Sequence, residues 1–299
     1  IVPALIGLLT MTAQLAMAQD LEPRRWSHLP VGANFASIGY GYTEFDIFVD
    51  PTLQLEDVTG DVHTGVLAYV RALDVFGKTG QIDVLLPYSA GRWEGLLEGE
   101  PASTRRHGFN DPRVRFAVNL LGSPAQRGAE FVQPAINTIL GVAVEVSAPL
   151  GEYKDDKLIN LGSNRWMVRP QIGVIHNRNK WAAELTASVR FYTDNDDFNV
   201  DQTRKQDPMG SVQAHLIYTF KPGLWASLSG AYGSGGQNEI DDIEAGDRIG
   251  KYLLAASAGF SISSRQGFKF AYMRGVTTEN TGNDYDRFLF GYSMMWGGR

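Results

Sequence analysis

Twelve charged side chains stand at the minority positions of otherwise apolar, alternating runs: Arg71, Asp83, Arg113, Arg115, Glu145, Arg165, Arg169, Glu184, Arg190, Lys251, Lys269 and Arg287. On one face of a closed sheet they would meet across a lumen, with Arg115, Glu145, Arg169 and Glu184 expected at similar depth. Opposite signs side by side make a ladder of ion pairs that fills a narrow interior, because unpaired charge in a dry core is costly. An excess of arginine over carboxylates makes a slot that attracts anions. The two readings are compatible. Arg71 and Asp83 flank one turn and read as a cross-strand pair. Alternation also turns two aromatics, Tyr69 and Trp225, inward, where a ring could stack on them. They join Arg71, Arg113, Arg115, Glu145, Arg165, Arg169, Glu184, Arg190 and Arg287 as the candidate pore-lining set.

Catalytic and metal-binding patterns are missing. None of the histidines, His28, His63, His107, His176 and His215, is followed two residues on by serine, and no Gly-x-Ser-x-Gly elbow or His-Glu-x-x-His occurs. His63 and His215 read as polar fillers of the lumen, His28 and His107 as parts of connections, and His176 as lying at a membrane boundary. Asp194, Asp196, Asp197 and Asp201 are rich in oxygen, but a calcium loop counted from Asn195 would need Gly and Glu where Val200 and Gln206 stand. They read as a solvated loop, as do Asp241, Asp242, Glu244 and Asp247, with divalent bridging to lipopolysaccharide as the alternative. The expectation is a protein that is not an enzyme and has no cofactor and no metal.

The elements that must position these residues are strands. Leu140, Val142, Val144, Val146 and Ala148 alternate with Gly141, Ala143, Glu145 and Ser147. Trp166 to Val174 and Ala183 to Phe191 repeat the pattern. Period-2 alternation over about ten residues, with charge on the minor face, describes a transmembrane strand better than the half-buried strand of a sandwich, which runs about 5–6 residues. Further apolar faces are Ala36–Tyr42, Val62–Val70, Ile82–Tyr88, Val114–Leu120, Val212–Phe220, Leu224–Leu228, Leu254–Phe260, Phe268–Tyr272 and Phe288–Trp296, each expected to face lipid. That makes about twelve strands. Short connections (177–180, 221–223, 263–267) alternate with long polar ones (48–61, 94–110, 151–163, 193–207, 233–247), the pattern of periplasmic turns and outer loops. Aromatics at the strand ends, Tyr40, Tyr42, Trp93, Trp166 and Tyr232 at one and Trp181, Phe220, Phe268 and Trp296 at the other, read as interfacial girdles. The fold class is therefore all-β, an antiparallel transmembrane barrel.

Composition agrees. Hydrophobic residues are 43%, cysteine is absent and 33 glycines suit tight turns. A net charge of −6 argues against binding nucleic acid. Residues 1–18 read as a signal peptide, with Ala16-Met17-Ala18 before a cut at Gln19. Residues 19–33, with two prolines and no alternation, read as an irregular periplasmic or plug-like segment, and 34–299 as one barrel. The last run ends on Trp296 followed by Gly297-Gly298-Arg299, an aromatic signal for the barrel-assembly machinery displaced inward.

Several stretches carry a resemblance. DLEPRRWSHLPVGANF (Asp20 to Phe35), Gly108-Phe109-Asn110-Asp111-Pro112, Pro149-Leu150-Gly151-Glu152-Tyr153 and NLGSNRW (Asn160 to Trp166) resemble the MetA-pathway of phenol degradation group of outer-membrane transporters. The resemblance spans nearly all of the mature chain, and the central pair followed by Pro170 is its most specific part. It implies an outer-membrane barrel associated with aromatic catabolism. The expectation is a channel for passive uptake of small molecules across a Gram-negative outer membrane, with aromatic compounds or aromatic carboxylates implied by the resemblance alone. Its partners would be lipid, lipopolysaccharide, the assembly machinery and small solutes, with oligomeric state open. The alternative is a closed structural or adhesive barrel that acts through its outer loops.

Overall fold

A strand that separates lipid from a lumen must be apolar on one face along its whole length, and here the side chains sort by parity in that way. The structure, a computed structural model, describes residues 21–48, 55–97, 99–157 and 159–298. The signal-peptide reading falls outside them. In chain order the strands are β1 (Ala33–Phe48), β2 (Leu55–Val75), β3 (Lys78–Leu97), β4 (Glu100–Phe109), β5 (Arg113–Leu121), β6 (Ile136–Ser147), β7 (Met167–Arg178) and β8 (Trp181–Tyr192). They continue with β9 (Asn195–Phe198), β10 (Gln202–Gln206), β11 (Met209–Lys221), β12 (Leu224–Gly235), β13 (Asn238–Ile240) and β14 (Ile243–Glu244). The last are β15 (Ile249–Ser261), β16 (Gln266–Thr277) and β17 (Gly282–Gly297). Twelve of them form one closed antiparallel barrel, and β4 is an extra strand. Closure is made by β1 against β17, in register from Ala33↔Gly297 to Phe48↔Gly282.

On β5 to β8 the expected faces hold: Phe116, Val144, Ile172 and Leu185 are exposed outward, while Arg115, Glu145, Arg169 and Glu184 are buried inward. β2 is the exception. Its Val70 lies opposite Asp83 and its Val62 opposite Thr43, both luminal, so Val62, Val66, Ala68 and Val70 face the lumen rather than lipid. His63, Leu67, Tyr69 and Arg71 face outward instead.

The barrel end that holds Ala33 and Gly297 has mostly short turns and is called the near end. One connection there is long: 122–135, with a 3-10 turn at Gly128–Glu130, which meets the N-terminal segment through Val31 N donating to Gln126 O (2.8 Å). At the far end the acidic loops are not merely solvated. They build a small sheet in the order β14-β13-β10-β9. The expected loop 94–110 is largely a hairpin of β3 with β4.

Because β3 pairs with β5 only over Gly80–Leu85 and with β4 beyond it, the wall between β4 and β7 is irregular at the far end. The segment from 148 to 166 fills it. Asp111 fixes that segment: its carboxylate accepts from Gly151 N (2.9 Å), Ser163 N (2.8 Å) and Ser163 Oγ (2.5 Å). Gly151 and Gly162 touch so closely that a Cβ on either would overlap the other's backbone. Three of the stretches that carry the resemblance are thus one structural unit.

Candidate functional site in the barrel lumen

Cross-strand register aligns four luminal charges on four adjacent strands. Asp83 lies opposite Arg115, Arg115 opposite Glu145, and Glu145 opposite Arg169. Signs alternate, and the neighbours pair: Arg115 Nη1 to Asp83 Oδ2 at 3.1 Å and Arg169 Nη2 to Glu145 Oε2 at 2.7 Å. Arg115 also donates its Nε to Gln171 Oε1 (3.0 Å). At this depth the ion-pair ladder is the arrangement present. Glu184 is not part of it. Its register partners are Ile175 and His215, several residues nearer the near end.

Glu184 instead holds the N-terminal segment Leu21–Gly32, which enters the lumen from the near end. Its two carboxylate oxygens accept from Arg24 N (2.7 Å) and Arg25 N (3.2 Å). Trp26 is buried to 1% exposure, donates Nε1 to Thr186 Oγ1 (2.8 Å) and carries the Arg115 guanidinium over its ring at 4.8 Å. Room for the indole comes from Gly141 and Gly173, which face each other in register on β6 and β7; a Cβ on either would overlap it. Arg25 reaches Glu22, Glu145 (3.6 Å) and Asp83 (3.9 Å), so the segment extends the ladder across the lumen. Nearer the near end, His28 Nδ1 meets Ser123 Oγ (2.6 Å) and its ring stacks on Phe131 at 4.8 Å. Burial lowers the His28 pKa below its ordinary value of 6.5, against a smaller opposing effect of the Gln126 hydrogen bond.

The opposite wall is apolar. Phe45, Ile47, Val58, Trp93, Leu253, Met273 and Tyr285 form one buried cluster with Leu21 and Leu161, and the inward Val62 packs against it. Phe45 and Trp93 approach at 6.0 Å, and Tyr285 OH donates to Met273 Sδ (3.4 Å). Trp93, expected in an outer girdle, is therefore a luminal residue, and its buried Nε1 has no hydrogen-bond partner among the described residues. Lys251 and Arg287 both lie over the Tyr285 ring at 5.1 Å. The lumen has an arginine-rich face on β5–β8 and a greasy aromatic face on β1–β3 and β15–β17.

Most of the other candidates also lie in the lumen. Arg113 is on the luminal face opposite Leu85 and Ser147, Arg287 donates Nε to Thr43 Oγ1 (2.8 Å), and Trp225 lies under Arg24 (5.1 Å). Tyr69 and Arg71 do not line it. With the parity of β2 reversed, Arg71 shares the outer face with Ile82, so it cannot pair with Asp83. Tyr69 OH donates to Asn34 Oδ1 (2.7 Å), and its ring lies 6.2 Å from Trp296 in the near-end girdle. His63 is likewise outward, beside Tyr40 OH (2.6 Å), whereas His215 is luminal and meets Ser229 Oγ (2.7 Å). His107 belongs to β4.

Arg190 continues the ladder row, opposite Arg169 between the pairs Val168↔Phe191 and Gln171↔Ser188, and Arg165 stands above it toward the far end. Arg165 lies 4.6 Å over the Tyr192 ring and donates Nη2 to Gln206 Oε1 of β10. Burial, then repulsion from Arg204, lowers its pKa to about 9, so it remains cationic at neutral pH. Arg204 itself donates Nε to Asn238 Oδ1 (2.8 Å).

With this geometry in place, comparison with known proteins is specific. Residues 48–288 match the family described as "Putative MetA-pathway of phenol degradation". The chain belongs to that family. Among solved structures it is similar to the COG4313 outer membrane channel from Pseudomonas putida F1, at 24% identity and a TM-score of 0.79 over 93% of this chain and 100% of that one. The transport unit of the autotransporter AIDA-I from Escherichia coli shares 7% identity at a TM-score of 0.57, covering 97% of each chain. Likeness at these identities concerns the fold. A search of curated proteins gave no match.

Sequence reasoning overlooked Glu22, Arg24, Arg25 and Trp26, and the cluster of Phe45, Trp93, Met273 and Tyr285. The signal that could have found the first group is the pair Gly141 and Gly173, two glycines on the luminal face of neighbouring strands, which leave a slot for a large ring.

Proposed function

We propose that this barrel is an outer-membrane channel that passes small molecules passively, aromatic compounds among them. The observation that carries the reading is the two-faced lumen. An arginine wall attracts anions and replaces their hydration, and a wall of Phe45, Trp93, Met273 and Tyr285 accepts a ring. Family membership points the same way. In this reading the near end is periplasmic, the far-end sheet faces outward, and lipid and lipopolysaccharide surround a Gram-negative outer-membrane barrel. The test is conductance of the refolded full chain in a planar bilayer, with and without benzoate and phenol. Discrete channels blocked by an aromatic solute support the reading, and no conductance from folded barrels refutes it. A second reading, a closed barrel acting through its outer sheet, has in its favour the buried Trp26 and the half-buried Arg25 in the lumen. The same measurement separates the two.

A further inference from the structure

Arg115 and Arg169, the arginines at mid-depth, are neutralised by Asp83 and Glu145. Arg190, opposite Arg169 in the same row, and Arg165, above it toward the far end, are not. Arg165 is 4% exposed, and its Nε and Nη1 are buried without a hydrogen-bond partner among the described residues. Arg190 is equally buried, and the hydrogen bond it makes among the described residues is a long one from Nη1 to the Met209 thioether (4.0 Å). The carboxylates nearby are already engaged. Asp111 is taken up by Gly151 and Ser163, and Asp247 accepts from Asn238 N (2.8 Å) and Nδ2 (2.6 Å). A buried guanidinium with donors left over is expensive unless something anionic or strongly accepting completes it. The surroundings are those of a ring rather than a bare ion. Tyr192 lies under Arg165; Met167 is opposite Tyr192 in register, and Met209 is opposite Arg190. Thioethers and a phenol ring together make a soft, flat-sided lining for an aromatic group.

We propose that Arg165 and Arg190 form a carboxylate-binding subsite at the far end of the lumen, with Tyr192, Met167 and Met209 receiving the ring of an aromatic carboxylate. The subsite lies beneath the small far-end sheet, whose Gln206 already caps one nitrogen of Arg165. It rests on the channel reading, and it names the class of solute that the outer mouth selects first.

The experiment uses the refolded full chain in detergent and titrates it with benzoate, with phenol as the neutral ring and acetate as the ringless anion. Benzoate is expected to bind about tenfold or more tightly than either, because only it presents both the carboxylate and the ring. Arg165→Gln and Arg190→Gln are each expected to weaken benzoate about tenfold or more. Arg248→Gln, at an exposed far-end position, is expected to leave it unchanged. Benzoate binding no tighter than phenol overturns the proposal without any variant, and so does wild-type benzoate affinity in both arginine variants. Flux of phenol and benzoate into liposomes separates the two levels. No flux of either refutes the channel, whereas flux of both with benzoate indifferent to Arg165 and Arg190 refutes the subsite alone.

Discussion

Replacing Gly173 by alanine puts a methyl group where the Trp26 indole lies, and the two cannot share that space. The indole buries about 200 Å², which at about 25 cal/mol per Å² is worth about 5 kcal/mol. Its hydrogen bond to Thr186 adds about 1 kcal/mol and the Arg115 contact about 1–2 kcal/mol. If the strand yields instead of the ring, overpacking costs about 1–3 kcal/mol, so part of the loss is recoverable. Forfeiting even about 4 kcal/mol lowers the ratio of docked to undocked segment by nearly three powers of ten. The bonds after Arg24 and Arg25 are trypsin sites held inside the lumen by Glu184, and they report this directly. Wild-type barrels in detergent should resist cleavage there. Gly173→Ala and Trp26→Ala should both be cut quickly while the barrel stays folded, and both should conduct more. If Gly173→Ala resists trypsin as the wild type does and conducts no better, Trp26 does not hold the segment in the lumen.

Asp111→Ala strands the amides of Gly151 and Ser163, a loss of about 3–5 kcal/mol concentrated in residues 148–166, and hydrogen exchange there should accelerate while β6 and β7 stay protected. Uniform exchange across the barrel would refute the latch. Arg169→Ala or Glu145→Ala alone should cost about 3–5 kcal/mol by removing one partner of a buried pair, while Arg169→Met with Glu145→Leu should cost less than either. Chemical denaturation measures all three, and a double variant that loses more than either single would contradict a coupled pair. His28 is held neutral by burial, so its folded pKa lies below its ordinary 6.5 and the unfolded chain binds the extra proton. The contact is then at full strength above that value and weakens as pH falls through it. An NMR titration of His28 with a midpoint above 6.5 would reverse the sign.

Legibility in the sequence followed the physics of each strand. On β6 to β8 one face must meet lipid and the other carries Glu145, Arg169 and Arg190, so alternation reads both faces correctly. On β2 the inward face is Val62, Val66, Ala68 and Val70, because it lies beside the greasy cluster, and the outward face includes His63, Gly65 and Arg71. With neither face strictly polar, alternation chose the wrong one and turned Tyr69 and Arg71 inward. Trp93 was misread for the same reason: an aromatic near a strand end suits a girdle as well as a luminal cluster. Depth is a separate property. Arg115, Glu145 and Arg169 are neighbours because their strands pair in simple register, but Glu184 is displaced by a register that no local pattern encodes. The far-end sheet joins β10 to β13 across more than thirty residues of chain, a pairing visible only once the barrel brings them together.

Glu184 grips the N-terminal segment by main-chain amides, groups that every residue except proline possesses. At that contact the lock is blind to the key. Position 25 can change identity without loosening it, provided it does not become proline, and position 24, at φ 73°, needs only a residue that accepts the left-handed region, whereas the strand is committed to a carboxylate of glutamate's reach. The slot for Trp26 is the reverse case, matched in shape on both sides. One segment is thus held by an indiscriminate clasp and an exacting socket one residue apart, so the two contacts should drift under very different constraint.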